Sequence, residues 1–180
     1  MISQSALEKK EPLPFRIRRA EKMDLERVVQ IEHESFPTPW PYDLLAQHMY
    51  EDGFLVAEFN EMLIGYIIVG MKMPSLFSRL ERRTLQLLRG EESPEPQVGH
   101  VMNIAVDPQF RRHGLGRELL QHGMEYLRSL GADEIELEVR VDNAPAIALY
   151  NRFGFEVKDR IRNYYSNGDD AFLMNAKINL

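Results

Sequence analysis

Arg111, Arg112 and Arg117 flank Gly114 and Gly116 in DPQFRRHGLGRELL (Asp107 to Leu120), which follows an apolar segment and opens a leucine-rich one. A helix start carries N–H groups without intrahelical partners and the positive end of the helix dipole, so it attracts anions, phosphate above all. Glycines let the backbone approach such a ligand closely. The arginines add charge-assisted hydrogen bonds. The residue types therefore suit a diphosphate cradle. It is not a GxGxxG dinucleotide fingerprint, because Leu119 stands where the third glycine belongs, and no GxxxxGK[ST] loop is present. Taken alone, the turn fits an ordinary glycine-rich strand-to-helix connection with surface arginines equally well.

Other chemistry-bearing side chains are ambiguous by themselves. Glu138 lies on the polar side of EIELEVRV with Glu134, Glu136 and Arg140, the usual place of a solvated strand carboxylate. Tyr150 stands among Ala146, Ile147 and Leu149, as a core tyrosine would. Trp40, Tyr42, Tyr164 and Tyr165 suit a peptide groove or plain aromatic packing. His100 opens an apolar strand, and His33, His48, His113 and His122 lack metal-ligand spacing, so no metal is expected. With no cysteine in the chain, disulfides, thiolate metal sites and a thiol nucleophile are excluded.

The elements that must position these residues can be read from periodicity and breakers. The 180 residues, 44% hydrophobic and 28% charged, suit one globular domain. Phe15 to Ala20 alternates as a strand, and Asp24 is placed to cap a helix with Leu25, Val28, Val29 and Ile31 inward. FPTPWP (Phe36 to Pro41) ends it, and a second helix is expected over residues 42–51. FLVAEF and MLIGYIIVGM, parted by Asn60-Glu61, read as a hairpin. A long inserted connection spans 71–97. His100 to Val106 is the next strand, followed by a helix with Leu115, Leu119, Leu120, Gly123, Leu127 and Leu130 on one face and Gly131 at its stop. Strand 134–141, helix 144–153 and two closing strands around SNGDD complete an α/β domain over 15–180, behind a mobile tail over 1–14.

Net charge of −6 argues against a general nucleic-acid binder, which leaves the arginines between Arg79 and Arg89 as a solvated helix face. The first fourteen residues lack the apolar core of a signal peptide, and no run reaches the roughly 18 apolar residues of a membrane span. No membrane partner and a cytoplasmic location are expected.

Arg111-Arg112-His113-Gly114-Leu115-Gly116 resembles the R/Q-x-x-G-x-G/A motif with which GNAT N-acetyltransferases hold the pyrophosphate of acetyl-coenzyme A. NIAVDP (Asn103 to Pro108), LEVRVDNAPAIALYNRFGF (Leu137 to Phe155) and IRNYY (Ile161 to Tyr165) extend the likeness to the RimI group of ribosomal-protein alanine acetyltransferases. His100 is similar to a histidine of archaeal N-terminal acetyltransferases. The resemblance is strong over residues 98–176 and one of pattern over 15–70. It implies a GNAT fold: a mixed, mostly antiparallel sheet of six to seven strands with about four helices. It implies that Ile104, Ala105 and Val106 pair with the pantetheine arm, that Arg111 through Arg117 wrap the pyrophosphate, and that Asn143 touches the coenzyme. It further implies Glu138 as general base and Tyr150 as general acid, with His100 as a possible relay or a structural residue. The connection over 71–97 is longer than in bacterial RimI, which bears on substrate choice.

The implied reaction is direct attack of a neutral amine on the thioester. At pH 7 an α-amine is about 10–20% neutral and a lysine about 0.04%, a difference of roughly 3.5 kcal/mol. A carboxylate acting through water thus serves a chain N-terminus more easily than a lysine. The expected substrate is a protein or peptide N-terminus, a ribosomal protein among the candidates. The alternatives are a GNAT acting on a small amine or lysine side chain, and a non-catalytic acyl-CoA-binding regulatory module.

Overall fold

The computed structural model describes residues 13–72 and 96–178. Strands β1 (Arg16–Arg19), β2 (Phe54–Phe59), β3 (Met62–Met71), β4 (Val98–Val106), β5 (Glu134–Arg140), β6 (Glu156–Ile161) and β7 (Ala171–Lys177) form one sheet, ordered β1-β2-β3-β4-β5-β7-β6. Every neighbouring pair is antiparallel except β4 and β5. Helices α1 (Leu25–Ser35) and α2 (Tyr42–His48) cover one face; α3 (Leu115–Ser129) and α4 (Ala144–Arg152) cover the other.

Two apolar layers hold these helices down. Leu25, Val28, Ile31 and Leu45 pack on Phe54, Val56, Tyr66 and Ile68. Leu115, Leu119, Leu120 and Leu127 pack on Ile67, Val69, Ile135, Leu137 and Val139. α3 lies so close to β3 that a Cβ on Gly123 would sit 2.8 Å from Ile67 Cδ1 and 3.0 Å from Val69 Cγ1. The β2–β3 hairpin turns at Asn60 and Glu61, whose φ values of 48° and 64° give the left-handed pair that matches strand twist.

The feature that makes a site is a failure of pairing. β4 and β5 pair only over Val98–Val101 with Glu134–Leu137, while both strands run on, β4 to Val106 and β5 to Arg140. Past that point β4 remains bonded to β3 on its other edge, and its backbone groups facing β5 have no strand partner among the described residues. A wedge opens between two parallel strands.

The sequence reading differs in detail. β4 begins two residues earlier than His100, and α2 ends at His48 rather than residue 51. Asp24 does not cap α1 through its side chain. Its carboxylate is taken by the Arg18 guanidinium, at 2.7 and 2.8 Å, and by the Glu21 N–H at 2.7 Å. Leu130 already lies past the last turn of α3 and is exposed. Leu13, assigned to the tail, packs against the core beside Phe15. The rest of the tail, residues 1–12, and residues 73–95, with the arginine cluster and most of the long connection, lie outside the described residues.

Candidate active site

The turn from β4 into α3 is built before any ligand arrives. Asp107, buried, accepts the Gln109 N–H at 2.8 Å and is ion-paired to Arg27, which also donates to the Leu63 carbonyl at 3.2 Å. Arg111 folds back, its Nε donating to the Val106 carbonyl (3.0 Å) and its Nη2 to Ser35 Oγ (3.1 Å). Its side chain braces the turn instead of standing over it. Arg112 holds φ at 70° and Gly114 at 85°, so two residues take the left-handed conformation that only glycine adopts without strain.

The first intrahelical bond of α3 runs from the Glu118 N–H to the Gly114 carbonyl, leaving the amides of Leu115, Gly116 and Arg117 without helical partners. A Cβ added at Gly114 would meet nothing within 4 Å. Leu115 buries its side chain in the core and offers only its amide. Arg112 and Arg117 are exposed around this opening, Arg117 beside Glu118 at 2.5 Å. His113 is partly buried, its Nδ1 3.1 Å from the Arg111 carbonyl. Free amides, positive charge and empty space meet here, the conditions for holding a diphosphate.

Ile104, Ala105 and Val106 form the β4 edge of the wedge beside that turn. Asn143 closes it from the other strand: its Oδ1 accepts the Ala146 N–H (3.2 Å) as the cap of α4, which leaves Nδ2 as a donor.

At the floor of the wedge, His100 Nε2 and Glu138 Oε2 are 2.6 Å apart, from adjacent strands on one sheet face. Glu138 is distinguished from Glu136, its neighbour on that face. Burial pushes the Glu136 carboxyl up, but hydrogen bonds from Lys158 and Lys72, each at 2.8 Å, outweigh it and hold it below the ordinary range. Glu136 is thus occupied as an ion-pair centre, whereas among the described residues the hydrogen-bond partner of the Glu138 side chain is an imidazole. Tyr150 is buried in α4, and burial, then the nearby Tyr165, pushes its phenol well above the usual 10. Its hydroxyl has no hydrogen-bond partner among the described residues. Tyr165 is pushed up to about 12 by burial and Tyr164, while Tyr164 is raised by burial and the Glu138 carboxylate. The two rings meet edge-on at 5.0 Å. The aromatic pair therefore belongs beside the carboxylate, while Trp40 packs on His48 across the α1–α2 loop, centroids 5.4 Å apart.

Sequence reasoning missed Glu32. It is 1% exposed and receives the Trp40 N–H (2.7 Å), the Tyr66 hydroxyl and the Asn103 amide. It pins the FPTPWP loop to the sheet. The signal was present, since position 32 follows Val28 by one helical turn on the inward face. Among the described residues, no group of His, Asp or Glu side chains is arranged to hold a metal ion.

Comparison with known proteins agrees with this geometry. Residues 25–155 match the Acetyltransferase (GNAT) family. An N-alpha-acetyltransferase of Sulfurisphaera tokodaii is 36% identical over 174 residues, 95% of this chain and 98% of that protein. The crystal structure of the ribosomal-protein-S18-alanine N-acetyltransferase from Escherichia coli superposes with a TM-score of 0.70 at 30% identity, covering 92% of this chain and 95% of the other. Arabidopsis thaliana NAA60 in complex with acetyl-CoA shares the fold, with a TM-score of 0.73, 23% identity, and 91% and 99% coverage. With a family match over most of its length and a relative this similar end to end, the chain belongs to the GNAT acetyltransferase family.

Proposed function

We propose that this protein transfers the acetyl group of acetyl-CoA to the N-terminal α-amino group of a protein or peptide, by direct attack within a ternary complex. The observation that carries the reading is the wedge between β4 and β5, with the open glycine turn at one end and the His100–Glu138 contact at its floor. The wedge suits an extended pantetheine arm, which completes the missing ladder of β4. Arg112, Arg117 and the free amides of α3 receive the pyrophosphate, and Nδ2 of Asn143 donates to the coenzyme.

In this reading Glu138, directly or through water, takes a proton from the amine, and His100 shares it across their 2.6 Å contact. The neutral amine then attacks the thioester carbon, the carbon–sulfur bond breaks, and the second N–H proton leaves the new amide nitrogen through water to the CoA sulfur, so that the products are the amide and the free thiol. Tyr150 meets the departing sulfur. Because burial raises its phenol, it stays protonated at every working pH and is best suited to donate a hydrogen bond to the developing thiolate. Tyr164 and Tyr165 line the peptide side.

Ribosomal proteins are the candidate substrates suggested by the Escherichia coli relative, and the cytoplasm is the proposed compartment. Among the described residues no helix is long and apolar enough to cross a membrane. The test is acetyl transfer to peptides differing in their first two residues, with lysine peptides of blocked N-terminus alongside. Fragment mass spectrometry should place the acetyl group on the α-amine. Acetylation confined to lysines or polyamines would promote the alternative reading.

A further inference from the structure

We infer that Arg140 is a positioning residue that couples coenzyme binding to peptide binding, an inference resting on the reading above. Arg140 ends β5, two residues beyond Glu138 on the same face, and its side chain is only 18% exposed. Nε and Nη2 grip the two oxygens of Asp142 at 3.1 Å each. Nη1 stands 2.6 Å from an Asp169 oxygen, as an ion pair whose angle falls short of a hydrogen bond. The guanidinium carbon lies 5.6 Å from the centre of the Tyr165 ring.

These contacts join two loops with different duties. Asp142 immediately precedes Asn143, the cap of α4 on the coenzyme side. Asp169 sits in the β6–β7 turn, and its carbonyl accepts the Tyr165 N–H at 3.0 Å. One rigid, planar cation therefore fixes the tyrosine loop to the turn that faces the coenzyme. An ordered coenzyme turn holds Arg140, and a held Arg140 presents Tyr165. Lysine cannot replace it, because a point charge lacks the fork that grips Asp142 and the plane that covers a ring. Coupling of this kind is reciprocal.

The experiment measures affinity for a substrate peptide by calorimetry, with and without saturating CoA, in wild type, Arg140→Lys and Asp169→Asn. Wild type should bind the peptide more tightly when CoA is present. Both variants should lose about tenfold of that enhancement, raise the peptide KM, and keep both the CoA affinity and kcat at saturation within about twofold. Asp169→Asn changes a half-buried residue of the β6–β7 turn, outside the sheet, so it remains informative if Arg140→Lys folds poorly. A merely structural arginine would instead lower melting temperature and weaken both ligands equally, with the enhancement intact. That outcome overturns the inference, as does equal peptide affinity with and without CoA in wild type. Wild-type protein that acetylates no free N-terminus removes the proposed function and this inference together, whereas variants that match an active wild type remove the inference alone.

Discussion

Gly114→Asp tests the diphosphate site with its own control, Gly114→Ala. Both substitutions place a Cβ on a residue with φ of 85°, so both carry the left-handed strain of roughly 1–2 kcal/mol. Neither meets a steric obstacle, because nothing lies within 4 Å of that Cβ. Aspartate tolerates this conformation better than alanine and is favoured at a helix start, so the Asp variant should melt no lower than the Ala variant. The two differ mainly in one negative charge above the free amides of α3. At a separation of about 5 Å and an effective dielectric near 20, its repulsion of one phosphate charge is about 3 kcal/mol, or roughly two orders of magnitude in Kd. Salt screening reduces this, so a loss of about 30–100-fold relative to Gly114→Ala is expected at 0.15 M ionic strength. Calorimetry with acetyl-CoA, alongside thermal melts of both variants, measures the difference. Matching affinities within threefold would show that the pyrophosphate does not lie over Gly114, and the cradle argument would fail.

Glu138→Gln should lower kcat by about 10²–10⁴-fold with acetyl-CoA affinity preserved, and Tyr150→Phe should lower kcat with little change in coenzyme binding. If His100→Ala alone abolishes turnover while Glu138→Gln does not, the histidine is the base. Burial lifts the Glu32 carboxyl above its ordinary range despite the donors at Trp40, Tyr66 and Asn103. The folded state therefore holds this proton to higher pH than the unfolded chain does. Stability from this group is fully present below the unfolded value and falls as pH rises through the folded one. Glu32→Gln should flatten that part of a denaturation-midpoint series; an unchanged slope would refute the assignment. Gly123→Ala should destabilise by a net of about 1 kcal/mol, overpacking against Ile67 and Val69 outweighing the gain in helix propensity. A raised melting temperature would show that α3 can lift from the sheet.

Much of the fold was legible because local patterns agree with it. Ile135, Leu137 and Val139 alternate inward, Asn60-Glu61 turns a hairpin, and Gly131 with φ of 86° stops α3. Element ends were less legible. Whether Asp24 caps a helix depends on Arg18, six residues away in sequence but in contact with its carboxylate. Within the turn, residue types alone treated the arginines as equivalent. Only the three-dimensional arrangement separates Arg111, bound to Val106 and Ser35, from Arg112 and Arg117 around the opening.

The same limit applies to the carboxylates of β5. Glu134, Glu136 and Glu138 are indistinguishable by alternation, since all three point to the polar face of one strand. Their difference comes from strands distant in sequence. Lys72, just past the end of β3, and Lys158, on β6, converge on Glu136 from either side, while β4 brings His100 to Glu138. A carboxylate already holding two ammonium groups is a poor proton acceptor, because protonation would forfeit both ion pairs. In the proposed reading the base is thus marked out by the partners of its neighbour as much as by its own, and such pairings are set by sheet order, which single-strand patterns do not encode.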